Sequence, residues 1–152
     1  MNENVHEAKQ EMKRVDHLLY VSLKYTRTVD VIRSVVERMI SSLDFAITVL
    51  LEDSKERKMI SKIPPSPLER CDLLLKIFKS NNELKDYVDF YLLLRKIIRA
   101  PYGKREEYRR HVTMISKLDA GNVLEVNIDI LYEYFEKTKG FVEFASNFAR
   151  EK

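Results

Sequence analysis

The sequence predicts an all-α fold, an up-and-down antiparallel bundle of five or six helices, formed by residues 1–152 as a single domain. Two observations support this prediction. Apolar residues recur at three- and four-residue spacing along most of the chain, as on the buried face of a helix. The periodic segments are separated by short stretches rich in Pro, Gly or Asn, and short connections favour antiparallel neighbours. Hydrophobic residues make up 45% of the chain, enough for a buried core.

The first fifty residues carry two series of apolar positions with helical spacing. The first series is Val5, Ala8, Met12, Val15 and Leu19. The second is Tyr25, Val29, Ile32, Val36, Met39, Leu43, Ala46 and Leu50. The two are out of phase, and the break falls in KYTRT, residues 24 to 28, where Thr26 and Thr28 weaken helix propensity and are suited to capping. A straight helix of this length would measure ~75 Å, so we expect two helices or one strongly bent helix.

The clearest linker is SKIPPSPLER, residues 61 to 70. Its prolines exclude a helix before Ser66. Ser66 then has the features of an N-cap, followed by Pro67 at the first helical position and Glu69 as the capping-box acid. The helix that follows is expected to bury Leu68, Cys71, Leu74, Leu75 and Phe78.

A further helix is expected after SNN, residues 80 to 82, with Asn82 as its cap. Its apolar face consists of Leu84, Tyr87, Val88, Tyr91, Leu94, Ile97 and Ile98. The helix should stop near Arg99, because Pro101 biases Ala100 away from helical geometry and Gly103 follows.

Two structures compete for the segment after Gly103. REEYRR has helical propensity, whereas HVTMI is strand-like, DAGN (119 to 122) is a turn signal and VLEVNI alternates. The segment is therefore either a small β-hairpin near residues 110–127 or a helix broken at Gly121. From Asn127, which resembles an N-cap, the helical pattern resumes and continues through the phenylalanines that follow Gly140.

Composition excludes several classes of protein. The single cysteine, Cys71, cannot pair within the chain and suits a reducing, cytoplasmic setting. No signal peptide and no stretch of about 18 apolar residues is present, so we expect no membrane insertion. No P-loop, GxGxxG, HExxH or CxxC motif occurs, and we expect neither a cofactor nor a metal. A charged fraction of 34% with one Gln suggests a heat-adapted source.

Basic charge is concentrated in one segment. From Arg95 to His111 there are seven Lys or Arg against two Glu, a local net charge of +5 in a chain whose total is +3. One interpretation of KREEYRRHV, residues 104 to 112, is an exposed helix with i,i+4 pairs Glu106–Arg110 and Glu107–His111. The other is a site that contacts RNA or nucleotide phosphate. Its candidate binding residues are Arg95, Arg99, Tyr102, Lys104, Arg109 and Arg110.

Arg105 and His111 are separated by five residues, and Arg-(x)4–6-His is the signature of the HEPN superfamily. The chain resembles that superfamily over residues 10 to 112. It has a similar length and helical pattern, a long amphipathic helix ending in YLLLRKIIRAPYG, and a tyrosine, Tyr102, in the loop before the motif.

The resemblance implies a metal-independent endoribonuclease, or a partner protein of a nucleotidyltransferase. His111 would accept the proton of a ribose 2′-hydroxyl, since imidazole titrates near neutral pH. Arg105 would bind the phosphate and stabilise the developing charge. The resemblance also implies a homodimer whose seam brings two such pairs together.

A non-enzymatic function of a different class is the alternative. The chain would then be a dimeric protein-interaction module that associates through its long N-terminal helices, with the basic segment as a solvated face. Under this interpretation, Asp in place of Val29 or Val36 should weaken the dimer.

Overall fold

The computed structural model describes residues 2–150, with the side chain of Arg150 left out. Its five helices are α1 (Glu3–His17), α2 (Val29–Glu56), α3 (Pro67–Ile77), α4 (Asn82–Arg99) and α5 (Ile128–Arg150). Three strands, β1 (Tyr102–Arg105), β2 (Thr113–Lys117) and β3 (Val123–Asn127), connect α4 to α5. The prediction of a mostly helical fold is confirmed, and the three-stranded sheet is an addition to the all-α bundle.

The chain breaks between α1 and α2 where the sequence predicts. Helix α1 continues through a π-helical segment, Leu18–Ser22, and a last α-helical turn, Leu23–Tyr25. The backbone then leaves the helix, and Thr28 caps α2 by accepting the Val31 N–H at Oγ1 (3.3 Å). Tyr25 is 79% exposed, so its placement on the buried stripe is wrong. It belongs to the helix that ends before the break, not to α2.

Helices α1 and α2 pack antiparallel to each other. Near one end of the pair, Asn4 Nδ2 donates to Glu52 Oε1 at 3.0 Å. Nearer the middle, Ser42 Oγ donates to the carbonyl of Ala8 at 2.8 Å. The remaining predicted positions of both stripes are buried in the interface or in the core behind it.

The linker and the helix starts of α3 and α4 lie near the predicted positions, but some of the predicted caps and buried residues differ. Ser66 and Pro67 occupy the N-cap and first position of α3, although the Ser66 side chain makes no capping bond. Leu68 is exposed, contrary to its predicted place on the buried face, whereas Cys71 and Leu74 are buried. Asn81, not Asn82, caps α4, and its Oδ1 accepts the Leu84 N–H at 3.0 Å.

Helix α5 continues through Gly140 and packs closely against α4. A Cβ at Gly140 would lie 2.7 Å from Tyr87 Oη, so the missing side chain permits this approach. The Tyr87 ring stacks on Phe141, with centroids 5.0 Å apart. The buried side chains of all five helices and of the sheet belong to one continuous hydrophobic cluster. Nowhere in residues 2–150 is a helix both long enough and apolar enough to cross a membrane.

The sheet is antiparallel in the order β1-β2-β3, which settles the choice between hairpin and helix. The β2–β3 turn is a short 3₁₀ segment, Asp119–Gly121. Ser116 Oγ donates to the carbonyl of Ile97 at 3.2 Å and ties the sheet to α4. The predicted exposed helix over REEYRR is wrong: residues 106–111 form turns and bends, with left-handed backbone at Glu106 (φ 53°) and Tyr108 (φ 66°).

Candidate nucleic-acid interface

The turn segment of residues 106–111 is held against the break between α1 and α2. The Tyr108 N–H donates to the carbonyl of Arg27 at 2.6 Å. Glu107 Oε2 accepts the Val29 N–H at 2.9 Å, and Lys104 Nζ lies 3.6 Å from the other carboxylate oxygen. A carboxylate at this position satisfies a free amide and opposes the positive end of the helix dipole. Glu107 therefore has a structural role at the start of α2.

A cleft of about 360 Å³ lies beside this junction. It is open to solvent and is formed by the π-helical end of α1, the break, the 106–111 turn and the start of α5. Its lining residues are Leu19, Tyr20, Leu23, Lys24, Arg27, Arg110, His111, Asn127, Ile128, Asp129 and Tyr132. We call it the junction cleft.

Cationic side chains dominate the charge of the junction cleft. Lys24, Arg27 and Arg110 line it together with one carboxylate, Asp129. Among residues 2–150, none of these three cations forms an ion pair. The Nε of Arg27 is buried and has no hydrogen-bond partner within the described chain. A buried donor without an acceptor costs ~1–3 kcal/mol, so an anionic ligand that reached it would satisfy an unmet bond.

Aromatic and capping residues shape the other walls. The rings of Tyr20 and Tyr132 have centroids 5.2 Å apart at an interplanar angle of 40°. Asn127 accepts the Ile130 N–H at 2.9 Å and caps α5, as the sequence predicts. Tyr20 belongs to the π-helical segment, and such segments are frequent at functional sites because they displace a side chain from the regular helical register.

The two predicted catalytic residues, Arg105 and His111, lie in different surroundings. His111 lines the junction cleft beside Arg110. Arg105, at the end of β1, is not a lining residue, and its guanidinium forms an ion pair with Glu125 on β3. The cations that accompany His111 in the cleft are therefore Lys24, Arg27 and Arg110, and Arg105 is not among them.

The other predicted binding residues lie in different surroundings. Arg95 and Arg99 line a separate depression between α2 and α4 together with Glu37. The Tyr102 ring is covered by the Arg33 guanidinium, 4.2 Å from its centroid. Lys104 lies between Glu107 and Asp30, 3.9 Å from the latter.

Arg109 is exposed, and its N–H donates to the carbonyl of Glu106 at 3.1 Å. Of the predicted binding set, only Arg110 reaches the junction cleft.

Sequence reasoning missed Lys24, Arg27, Tyr20 and Tyr132. Lys24 and Arg27 lie in KYTRT, which the sequence identifies only as a helix break. The sequence feature that could have identified this site is a pair of cations at a helix break, close to Tyr20 and Tyr25. It becomes informative only when the tertiary fold brings residues 106–111 against it.

A second polar group of residues lies apart from the junction cleft, between α2 and α4. The buried Tyr91 donates its hydroxyl hydrogen to Asp44, and burial raises the pKa of both groups. Burial, with the nearby carboxylates of Asp72 and Asp44, also raises the pKa of the Cys71 thiol to about 11. None of these residues lines the junction cleft, and Asp44 and Tyr91 line a separate cavity of about 230 Å³ together with Arg70.

Comparisons with known proteins identify no relative. Searches against protein-family models, curated proteins and solved structures find no match to this chain. Within residues 2–150, no three His, Cys, Asp or Glu side chains are grouped as metal ligands would be. We therefore infer function from the residues of the junction cleft.

Proposed function

We propose that the chain binds RNA through its phosphate backbone, with Lys24, Arg27 and Arg110 as the contacting cations. The observation that carries this proposal is the convergence of three cations from two distant segments, residues 24–27 and the 106–111 turn, on one cleft, without ion-pair partners in residues 2–150. Guanidinium groups donate two parallel hydrogen bonds to a phosphate, which gives both affinity and orientation.

The buried Nε of Arg27 supports the same proposal. This donor lacks an acceptor within the described chain, and it belongs to a guanidinium whose residue lines the cleft. A phosphate oxygen is a strong acceptor, and charge-assisted bonds of this kind are about twice as strong as neutral ones. Asp129 is the one carboxylate of the lining, so the local charge favours an anion.

The ribonuclease role implied by the HEPN resemblance stays a prediction. His111 lies beside Arg110 in the cleft, where it would be near the ribose of a bound strand. General base chemistry at a 2′-hydroxyl requires an imidazole within hydrogen-bond reach of that group. The ion pair with Glu125 leaves Arg105 outside the cleft, so Arg110 is the better candidate for the phosphate contact. The nucleotidyltransferase partner and the homodimer also stay predictions.

The alternative of a dimeric interaction module is less well supported. It depends on the apolar stripe of the N-terminal helices, and Val29 and Val36 on that stripe are fully buried inside the chain. The stripe packs against α1 and the core, so it offers no apolar surface to a second copy.

The proposal is tested by fluorescence anisotropy with a labelled 20-nucleotide RNA and the full chain. Arg110→Ala is the test variant and Arg105→Ala is its matched control, five residues earlier in the same segment. Loss of one phosphate contact should weaken binding roughly 5- to 20-fold in Arg110→Ala. Arg105→Ala should change the dissociation constant by less than about twofold, because its partner is Glu125.

Salt dependence provides the second measurement. Three neutralised phosphates predict that raising salt from 50 to 200 mM weakens binding on the order of tenfold. Equal losses in Arg110→Ala and Arg105→Ala would contradict a contact specific to the cleft, because Arg105 lies outside it. Absence of binding at low salt would overturn the proposed function.

A further inference from the structure

We infer that Tyr25 and Tyr108, which flank the junction cleft in sequence, are base-stacking positions, so that the RNA it binds is single-stranded. This inference rests on the proposed function. It adds the recognition of base faces to the binding of phosphates, and it assigns that recognition to two residues outside the cleft lining.

The exposure of the aromatic side chains is the first observation. Tyr25 is 79% exposed and Tyr108 is 78% exposed, the highest values among the exposed large hydrophobic residues of the described chain. No phenylalanine of residues 2–148 reaches this class. The phenylalanine side chains are therefore packed within the fold, whereas these two tyrosine rings make little contact with it.

The position of the two tyrosines is the second observation. Tyr25 precedes Arg27 by two residues and Tyr108 precedes Arg110 by two residues, so each ring is close in sequence to a cleft cation. The Tyr108 N–H bonds directly to the Arg27 carbonyl at 2.6 Å, which brings the two Tyr-x-Arg segments together. The two Tyr-x-Arg segments therefore meet at one junction, and each contributes an exposed tyrosine and a cleft cation.

The backbone at Tyr108 is the third observation. Its φ of 66° is left-handed, a conformation that favours glycine and disfavours a bulky side chain. Glu106, two residues earlier, is also left-handed at φ 53°. The turn keeps an exposed aromatic ring where glycine would be less strained, and residues held in this way are concentrated at functional sites.

Stacking on aromatic rings favours single-stranded RNA over duplex RNA. An aromatic ring binds a base through its face, and each such contact makes a substantial contribution to single-strand binding. In a duplex the faces are already stacked on neighbouring base pairs, so a ring on the protein surface cannot reach them. A surface with unused rings beside cations therefore favours a single strand over a duplex.

The test compares a labelled 12-nucleotide RNA with the same RNA annealed to its complement, using the full chain. The unpaired strand should bind at least about tenfold more tightly than the duplex. Tyr25→Ala and Tyr108→Ala should each weaken single-strand binding roughly 5- to 10-fold and leave duplex binding unchanged. Tyr25→Phe and Tyr108→Phe should remain within about twofold of the unmodified chain, because stacking requires the ring and not the hydroxyl.

The outcomes separate this inference from the proposed function. Arg110→Ala should weaken binding of both RNA forms, since both present phosphates. If Arg110→Ala does so while both Tyr→Ala variants bind the single strand normally, the stacking inference is overturned and the phosphate cleft survives. Loss of affinity in the Phe variants as well would indicate a hydroxyl contact and would also overturn it. If neither RNA form binds, both proposals fail, and the exposed tyrosines would then point to a protein partner.

Discussion

Arg105 and Arg110 are the same residue type in one basic segment, yet their surroundings differ. Arg105 extends from β1 toward Glu125 and forms an ion pair across the sheet. Arg110 lines the cleft and has no such carboxylate partner in residues 2–150. Sequence identifies both as basic and near a histidine. Only the position of Glu125 decides which guanidinium is free for a phosphate.

Cys71 also illustrates the residue scale, because its surroundings set its chemistry. The sequence predicts a small core residue, and the structure confirms that it is buried. A pKa raised from 9.0 to about 11 leaves about a hundredfold less thiolate at pH 8. Because a thiolate of higher pKa is also more nucleophilic, we expect a disulfide-exchange reagent at pH 8 to modify the native chain at least about tenfold more slowly than the denatured chain.

The pH dependence checks the cause of the slow reaction. Below a pKa of about 11, each unit of pH raises the thiolate fraction tenfold, so the native rate should rise about tenfold between pH 8 and 9. The rates can be followed by the absorbance of the released thiol. Rapid native modification at pH 8 would contradict both the burial and the raised pKa.

The turn segment of residues 106–111 is the element that sequence patterns describe least well. REEYRR favours a helix by propensity, but the Tyr108–Arg27 and Glu107–Val29 bonds draw the chain into turns with left-handed residues. Local propensity differences amount to a few tenths of a kcal/mol per residue. The two hydrogen bonds to Arg27 and Val29 outweigh these propensity differences. The residue pattern of KREEYRRHV does not predict those bonds, because their partners lie in a different part of the chain.

Glu107 should stabilise this element in a measurable way. Glu107→Ala removes the acceptor of the Val29 N–H at the start of α2 and should lower the free energy of unfolding by ~1 kcal/mol. Glu106→Ala is the matched control, because the Glu106 side chain is exposed and makes no hydrogen bond or ion pair with residues 2–150. Urea denaturation measures both changes. A loss in Glu106→Ala equal to that in Glu107→Ala would contradict a specific capping role.

On the scale of the whole molecule, α2 is the central element. It packs antiparallel to α1 on one side and contacts α3, α4 and α5 on others. Its residues Val29, Ile32, Val36 and Met39 are fully buried within this chain. The hydrophobic stripe on which the predicted dimer depends is thus already buried inside the bundle.

Val36→Asp tests this arrangement. A carboxylate at a fully buried position without a partner costs several kcal/mol, a large part of the 5–15 kcal/mol that stabilises a typical domain. We expect loss of the cooperative thermal transition in circular dichroism. Ser34→Asp, on the exposed side of the same helix, should leave that transition within a few degrees. A folded Val36→Asp chain with an altered oligomeric state would instead support an interface at this face.

The sequence by itself determined the helical stripes, the break at residues 26–28, the end of α4 before Pro101 and the Asn127 cap, because these depend on contacts within a few residues. Its weaker signals, such as the choice between Asn81 and Asn82, were off by one position. Only the tertiary structure decided the third strand, the turns at 106–111 and the meeting of Lys24 and Arg27 with Arg110. The physical reason is distance along the chain. The contacts of the turn join segments about eighty residues apart, so the residue spacing within one segment gives no information about the other.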